Sequence, residues 1–539
     1  MIGEPFAFFR SGLAPRRWQW MLLLAVLMSF ALMAAEPADW FTWSAAFLLV
    51  ATATGMAEVA ADRRLSRPER PGARAYFDRH VDLFERFRRF NRGYHREIER
   101  LWRFYLSPGD RVLEVGCGMG DLLAALDPQR GLGVDSSAGM LARARRKYPS
   151  LVLVQSDAQY LTLRGPFDAV VMSDLIGYLD DVQQAFENAR RCMAPHSRLL
   201  VNSFNHLWEP GLKLAERLRL KAPAGTQNWL SLQDVENLLR LAGFEPVTTG
   251  YRFLFPYNVP LLAPFLNRVV AKLPFVRKLC LVQYVVARPA VHYHDWKERF
   301  SVSVVIPTRN EAGNIAGAFE RTPAMGHATE LIFVDGNSTD GTVEEIEQRM
   351  ARYAGPMKMQ FIPQGDGRGK GDAVRKGFDA ATGDILMILD SDLTMPPEDL
   401  PKYYRAIASG QAEFVNGCRL VYPMDAQAMR LANYFGNKFF SVAFSWLLGQ
   451  PIRDTLCGTK VLFRRDYERI KAGRAFFGDF DPFGDFDLLF GAAKIARKIV
   501  DLPIRYRERT YGETKISRWR HGLLLLRMCG VALVRIKLR

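Results

Sequence analysis

Five large apolar residues in a row, Ile385, Leu386, Met387, Ile388 and Leu389, run directly into Asp390, Ser391 and Asp392. An apolar run without alternation reads as a strand buried on both faces, the situation in a sheet covered by helices on either side. In such open α/β sheets, ligands gather beyond the carboxyl ends of the strands, which is where Asp390 and Asp392 fall. Residues two apart on a strand project the same way, so both carboxylates are expected to approach one hard divalent cation. An acidic turn that merely caps a strand is the other reading of this short stretch, and the neighbouring motifs decide between the two.

A chain of 539 residues is too long for one core and suggests three or so units. Its 49% apolar and 12% aromatic content argue for packed domains over disorder. The net charge of +16 suits nucleic acid, a membrane surface or phosphorylated substrates. No basic-aromatic recognition module accompanies that charge, so nucleic acid is set aside. The cysteines are scattered with no Cys-x-x-Cys pair, which excludes a zinc site of that type and a disulfide framework and fits a reducing compartment.

Residues 18–35 and 40–57 contain no charge, and each is about long enough to cross a bilayer core, for which ~17 residues suffice. Arg10, Arg16 and Arg17 precede the first segment and Arg63, Arg64 and Arg67 follow the second, while the link between them carries Glu36 and Asp39. The positive-inside rule then makes residues 1–65 a two-helix membrane hairpin with both ends in the cytoplasm, at the inner membrane. A cleaved signal peptide is the alternative, and it leaves the second apolar segment without a purpose. Next comes an arginine-rich stretch. Phe77, Val81, Phe84, Phe87, Tyr94, Ile98, Leu101 and Tyr105 recur at mostly helical spacing with arginines between them. This basic amphipathic helix either lies on anionic headgroups or packs on its own domain, and both readings stay open.

Arg111 to Val115 reads as a strand ending in the turn Gly116-Cys117-Gly118-Met119-Gly120, and a helix starts at Asp121. Glycines allow a ligand to approach the backbone closely where a helix begins. Asp121 stands where a dinucleotide fingerprint places its last glycine, which weakens an NAD reading. Strands at 131–134, 151–155 and 167–172 lead into Asp135, Asp157 and Asp174 respectively, so a doubly wound sheet with a ligand along its edge is expected. Residues 111–288 resemble class I S-adenosylmethionine-dependent methyltransferases. The resemblance implies that Glu114, Gly116, Gly118 and Gly120 hold the methionine end of the cofactor, Asp135 its ribose and Asp157 its adenine edge. It places Asp174 where the methyl acceptor meets the sulfonium; no residue declares the acceptor. The apolar, proline-punctuated segment 251–276 is read as core, in preference to an acceptor lid or a membrane-touching flap. His292, His294 and Asp295 fall in an apparent linker, 291–300, and are read as a polar connector between a domain at 66–290 and one at 301–539.

That last domain opens with a strand from Val302 through Pro307 to polar residues ending in Glu311, and a second strand at 331–334 leads into Asp335-Gly336-Asn337-Ser338. A glycine-rich basic stretch with Lys370 precedes the helix 372–381, and the Asp390/Asp392 strand follows. Asp454-Thr455-Leu456-Cys457-Gly458-Thr459-Lys460 and Arg509-Thr510-Tyr511-Gly512-Glu513-Thr514-Lys515-Ile516-Ser517 complete the set. This order resembles family 2 glycosyltransferases of the GT-A fold, and within them the polyprenyl-phosphate (dolichol-phosphate type) sugar transferases. The resemblance implies that Pro307, Glu311 and Asp335 contact the base and ribose of a nucleotide sugar, and that Asp390 and Asp392 hold Mg2+ or Mn2+ on its diphosphate. Lys370, Arg419, Arg509 and Lys515 would neutralise phosphate oxygens, with Asp454 near the sugar and acceptor. The chain departs from the pattern at Gly336, where a second acid is usual, at Thr394, where Gln is common, and in the acid-rich segment 478–490.

A polyprenyl phosphate arrives already anionic, so positioning and metal-assisted departure of the nucleotide can suffice without a general base. An inverting transfer is what the family implies. The alternative is a glycosyltransferase that extends a polysaccharide or glycolipid through a hydroxyl, with Asp454, Asp485 or Asp487 as base and the methyltransferase-like half a non-catalytic scaffold. The tail, 522–539, reads equally as an interfacial or a packed helix. A homo-oligomer is compatible with all of this.

Overall fold

The computed structural model describes residues 73–218, 221, 227–256, 259–367, 369–419, 431–455, 457–476, 485–504, 511 and 518–538. The expected hairpin at 1–65 lies outside them, as do Arg509, Lys515 and the start of the acid-rich segment. Among the described residues no helix is long and apolar enough to cross a membrane.

Two seven-stranded sheets organise the chain. The first comprises β1 (Arg111–Val115), β2 (Arg130–Asp135), β3 (Val152–Gln155), β4 (Phe167–Ser173), β5 (Met193–Phe204), β6 (Phe244–Arg252) and β7 (Val282–Pro289), in the order β3-β2-β1-β4-β5-β7-β6. Strands β1 to β5 are parallel, and β7 runs antiparallel between β5 and β6. The order reverses between β1 and β4, and at that switch point the loops diverge and leave a crevice. The glycine turn, Asp135 and Asp174 all sit at this edge, as the sequence implies.

The second sheet comprises β8 (Val302–Thr308), β9 (Thr329–Asp335), β10 (Lys358–Pro363), β11 (Ile385–Ile388), β12 (Phe414–Cys418), β13 (Lys460–Phe463) and β14 (Ile499–Pro503), ordered β10-β9-β8-β11-β13-β12-β14. Strand β13 is antiparallel to both neighbours. Strand β11 pairs in parallel with β8, Met387 opposite Val304, and Ile385 to Leu389 are fully buried. One expectation fails here. The strand ends at Ile388, a last ladder bond runs from Leu389 N to Val305 O (3.0 Å), and Asp390 to Leu393 form a turn closed by Leu393 N to Asp390 O (3.1 Å). Asp390 and Asp392 are therefore oriented by turn geometry, not by a strand pleat.

Two further expectations change. The arginine-rich stretch is broken at His80 and Asn91 into helices Ala73–Arg79, Val81–Phe90 and Arg92–Tyr105. The third buries Tyr94, Ile98, Leu101, Trp102 and Tyr105, so the packed reading holds for it, whereas the first two bury no residue fully. The segment 251–276 is core only at its start, where Phe253 is buried in the main cluster. Its small residues Ala263 and Ala271 are buried, whereas Phe265 and Phe275 face outwards.

The domains share a tight seam. Glu413 lies 2.6 Å from Arg198, 3.4 Å from Arg497 and 3.9 Å from Arg288, and all four side chains are buried. Arg198 also donates to Ala496 O (2.7 Å) and Arg288 to Gly410 O (2.7 Å), while Phe104 meets Phe476 edge to face. The connector is itself fastened, by Tyr293 N to Ser409 O (3.1 Å).

Candidate active sites

At the first sheet's edge, Gly116, Gly118 and Gly120 all take positive φ (78°, 51° and 74°). A Cβ on Gly116 would fall 2.8 Å from Leu175, so both space and backbone require glycine there. Asp135 ties the turn down, accepting from Gly118 N (2.7 Å) and Ser137 N (2.8 Å). Asp157 accepts from Gln159 N (2.8 Å) and caps the short turn Ala158–Tyr160. Glu114 is buried, its Oε2 has no hydrogen-bond partner, and burial raises its carboxyl to about 8. A buried oxygen of this kind on a cavity wall fits a ligand that brings an ammonium group.

Asp174 departs from the cofactor cluster. It takes a positive φ of 53° and accepts from Tyr94 (2.7 Å) and from Asn202 Nδ2 (2.8 Å). Asn202 is in turn fixed by Trp102 Nε1 (3.0 Å). Burial raises the Asp174 carboxyl to about 6, against the opposing hydrogen bond from Tyr94. Sequence reasoning passed over Asn202, although a polar residue inside the apolar run of β5 was a usable signal. It also missed Asp78, which accepts from Ser137 Oγ (2.6 Å) and Gly139 N (2.9 Å) and so closes the first helix over the site. Nothing local in the sequence marks that contact.

Glu114, Gly118, Asp135, Asp157, Asp174 and Tyr94 line one cavity of about 1880 Å3. Small-molecule sites occupy ~300–1,000 Å3, so there is room for a second substrate beside a nucleoside-sized ligand. The carboxylates come from the strand ends, whereas Arg74, Arg86, Arg96 and Arg268 enter from the covering helices and from segment 259–281.

In the second sheet, Lys370 Nζ lies 2.6 Å from Asp390 Oδ1, both about 30% exposed. Thr394 donates its backbone N–H (3.1 Å) and its hydroxyl (2.8 Å) to Asp392, so it supports that acid. The loop bearing Gly458 presses on this pair: a Cβ there would fall 2.1 Å from Asp390 Oδ2 and 2.3 Å from Lys370 Nζ. Among the described residues no cluster of three or more His, Cys, Asp or Glu could cage a metal. Two carboxylates still suit Mg2+, which commonly takes one or two protein carboxylates and completes its shell with water and substrate phosphates. The ammonium of Lys370 at Asp390 marks the spot as one that gathers positive charge.

Strands β8 and β9 bring the expected donor residues together, Thr308 facing Asp335. Asp335 is held by Ser338 N (3.0 Å), and Glu311 by Asn314 Nδ2 (2.7 Å). Pro307 is half-buried on β8 beside them. Gln364, which the sequence did not flag, fastens the loop before Lys370 by donating to Gly369 O (2.9 Å) and Asp372 (2.9 Å). It also lies close to Gly336, where a Cβ would sit 3.0 Å from Gln364 Oε1. Asp454 is 1% exposed and is gripped by Arg419 through Nε (2.8 Å) and Nη2 (2.9 Å). Asp487 is similarly paired with Arg474 (2.7 Å).

Family models for "Methyltransferase domain" and "Glycosyl transferase family 2" match residues 84–249 and 303–470. The glycosyltransferase AglJ of Haloferax volcanii is 30% identical over 41% of this chain and 68% of its own length. The chain belongs to glycosyltransferase family 2, with a methyltransferase domain ahead of it. A dolichol-phosphate mannosyltransferase of Pyrococcus furiosus is 37% identical over 22% of this chain and 33% of its own length. An undecaprenyl-phosphate 4-deoxy-4-formamido-L-arabinose transferase of Pseudomonas fluorescens is 26% identical over 41% of this chain and 61% of its own. The glycosyltransferase thus spans less than two thirds of these last two relatives. It is an enzyme with two catalytic-type domains, and Asp390, Asp392, Lys370 and the donor strands all lie in the matched glycosyltransferase region.

Proposed function

We propose that this is a bifunctional enzyme held at the cytoplasmic face of an inner membrane by residues 1–65. Its glycosyltransferase domain moves a sugar from a nucleotide sugar to a polyprenyl phosphate, with inversion. The observation that carries this reading is the packing of the Gly458 loop onto the Lys370–Asp390 pair, which gathers carboxylate and ammonium at one spot below the donor strands. Relatives that act on lipid phosphates point the same way.

Asp390 and Asp392 would hold Mg2+ or Mn2+, which supplies charge neutralisation to a departing diphosphate. Lys370 is close enough to the same spot to hold a phosphate oxygen, and Glu311 and Asp335 would position the nucleoside. The acceptor phosphate is already a nucleophile, so no carboxylate has to take a proton. The pairing of Asp454 with Arg419 and of Asp487 with Arg474 supports this over a hydroxyl acceptor, which would need a reachable base.

In the other domain, Glu114, Gly118, Asp135 and Asp157 would hold S-adenosylmethionine, which brings an electrophilic methyl on a positive sulfur. Asp174 would then take the proton from an acceptor hydroxyl, with Tyr94 and Asn202 fixing the carboxylate. A donor screen on the full chain in detergent, with a short polyprenyl phosphate and mass spectrometry of the lipid, tests the first activity. A polyprenyl phosphate whose mass is unchanged with every donor, while sugar is transferred to a hydroxyl acceptor, would overturn it.

A further inference from the structure

The segment that follows β6 has an inverted distribution of side chains. Its helix Leu262–Arg268 and short turns Val270–Lys272 and Val276–Leu279 bury alanines and Cys280. They expose Leu261 (88%), Phe265 (55%), Leu273 (49%), Phe275 (92%) and Leu279 (56%). Burying small residues while showing large apolar ones to solvent costs free energy unless something covers them. The segment is not loose. Asn267 grips the backbone of Phe255 by accepting from its N–H (2.8 Å) and donating to its carbonyl (2.9 Å). Trp208 Nε1 donates to Leu279 O (2.7 Å), and this joins it to the helix Glu209–Arg217, in and beside which Leu207, Leu214 and Leu218 are also exposed.

Within the segment itself the charge has one sign. Residues 259–281 expose Arg268, Arg277 and Lys278 and contain no Asp or Glu; Lys272 is more deeply set, and burial lowers it to about 7. Burial lowers Lys537 of the C-terminal turn Leu533–Lys537 to about 8 and the charges of Arg252 and Arg277 add to this, so the end of the glycosyltransferase domain adjoins the segment without adding an exposed cation. The helix leading there, Arg518–Ala532, buries Leu525, Met528 and Ala532 and exposes Leu523 and Leu526, again without an acid. Protruding apolar side chains ringed by cations match a layer with an apolar interior and anionic headgroups.

We propose that segment 259–281 of the methyltransferase domain rests on an anionic bilayer, Phe275 and Leu261 entering the headgroup boundary. Pro264, Asn267 and Arg268, on the same segment, line the large cavity. The cavity wall is therefore part of the docked element, and a methyl acceptor carried in the membrane reaches Asp174 without crossing bulk water. This goes beyond the reading given above and does not depend on which sugar is transferred or on whether polyprenyl phosphate accepts it.

The test uses the full chain with Cys529→Ser, the other cysteines being buried. Phe275→Cys or Leu279→Cys is labelled with an environment-sensitive fluorophore. The protein is reconstituted into vesicles of phosphatidylglycerol and phosphatidylcholine with spin-labelled acyl chains. The label at 275 is expected to shift to the blue and lose most of its emission, less so in vesicles of phosphatidylcholine alone. An aqueous spectrum without quenching in both vesicles overturns the proposal. Nearness imposed by an anchor elsewhere is separated by a second variant. Leu261→Asp with Phe275→Asp should release a label at 279 from quenching while S-adenosylhomocysteine binding, read by calorimetry, is kept. Quenching at 279 that survives both aspartates also overturns it. Sugar transfer is assayed separately, so failure of that reading leaves these fluorescence outcomes unchanged.

Discussion

The hydroxyl of Tyr94 lies 2.7 Å from each oxygen of the Asp174 carboxylate, so a single O–H from the third helix is shared across the acid that ends β4. Desolvation pushes that carboxyl up to about 6, and the hydrogen bond acts against it. A base must be ionised, so methyl transfer should rise with pH through about 6 and then level off. Tyr94→Phe removes stabilisation of the anion and should move the rise to higher pH. Asp174→Asn should cut the rate by ~100-fold or more, the usual scale for a lost general base, with S-adenosylhomocysteine affinity kept. A rate–pH profile and calorimetry read both, and a flat profile would exclude the base role.

Glu114 is predicted to trade stability for binding. Its carboxyl is raised from 4.5 to about 8 in the folded protein, so the folded state holds a proton that the unfolded chain has released between those values. Stability of the ligand-free protein should therefore fall as pH rises across that window. Glu114→Gln removes the penalty and should stabilise by ~1–3 kcal/mol at pH 8, because each tenfold change in proton affinity is worth about 1.4 kcal/mol and relaxation around the buried carboxyl absorbs part of it. The same variant should lose S-adenosylhomocysteine binding. Thermal melts with and without that ligand check both halves.

Glu413 should hold the two domains together. Three buried arginines surround it and hold its carboxyl down at about 2. Its folded value lies below the unfolded one, so the stability it contributes is present above about 4.5 and is lost as pH falls towards 2. Glu413→Ala leaves buried cations without their counter-charge and should cost ~3–5 kcal/mol. Calorimetry should show a lowered or split transition, and an unchanged melt would refute the role.

Asp390→Asn should abolish sugar transfer while S-adenosylhomocysteine binding and the melt of the methyltransferase domain stay as they were. Chelation should remove the same activity, and Mg2+ or Mn2+ should restore it in the parent chain but not in the variant. Lys370→Met should weaken donor binding more than it affects folding, because its charge faces Asp390 at a partly exposed site. Isothermal titration with a nucleoside diphosphate measures that loss.

The chain order alone determined a good deal. Strands leading into Asp135, Asp157, Asp174, Asp335 and Asp390 announced two α/β sheets with ligands at their edges, because burial on two faces leaves a readable apolar run and the polar residue after it has one place to go. The glycines at 116, 118 and 120 were readable for a related reason: each needs a positive φ that few other residues adopt cheaply.

Tertiary structure alone decided the rest. The Tyr94–Asp174–Asn202–Trp102 chain and the Asp78–Ser137 contact join residues far apart in sequence, and no local periodicity encodes such partners. The outward Phe275 shows the same limit from the other side. An apolar side chain has the same composition whether it faces the core or the surface, and only the packing of Ala263 and Ala271 beneath it shows which.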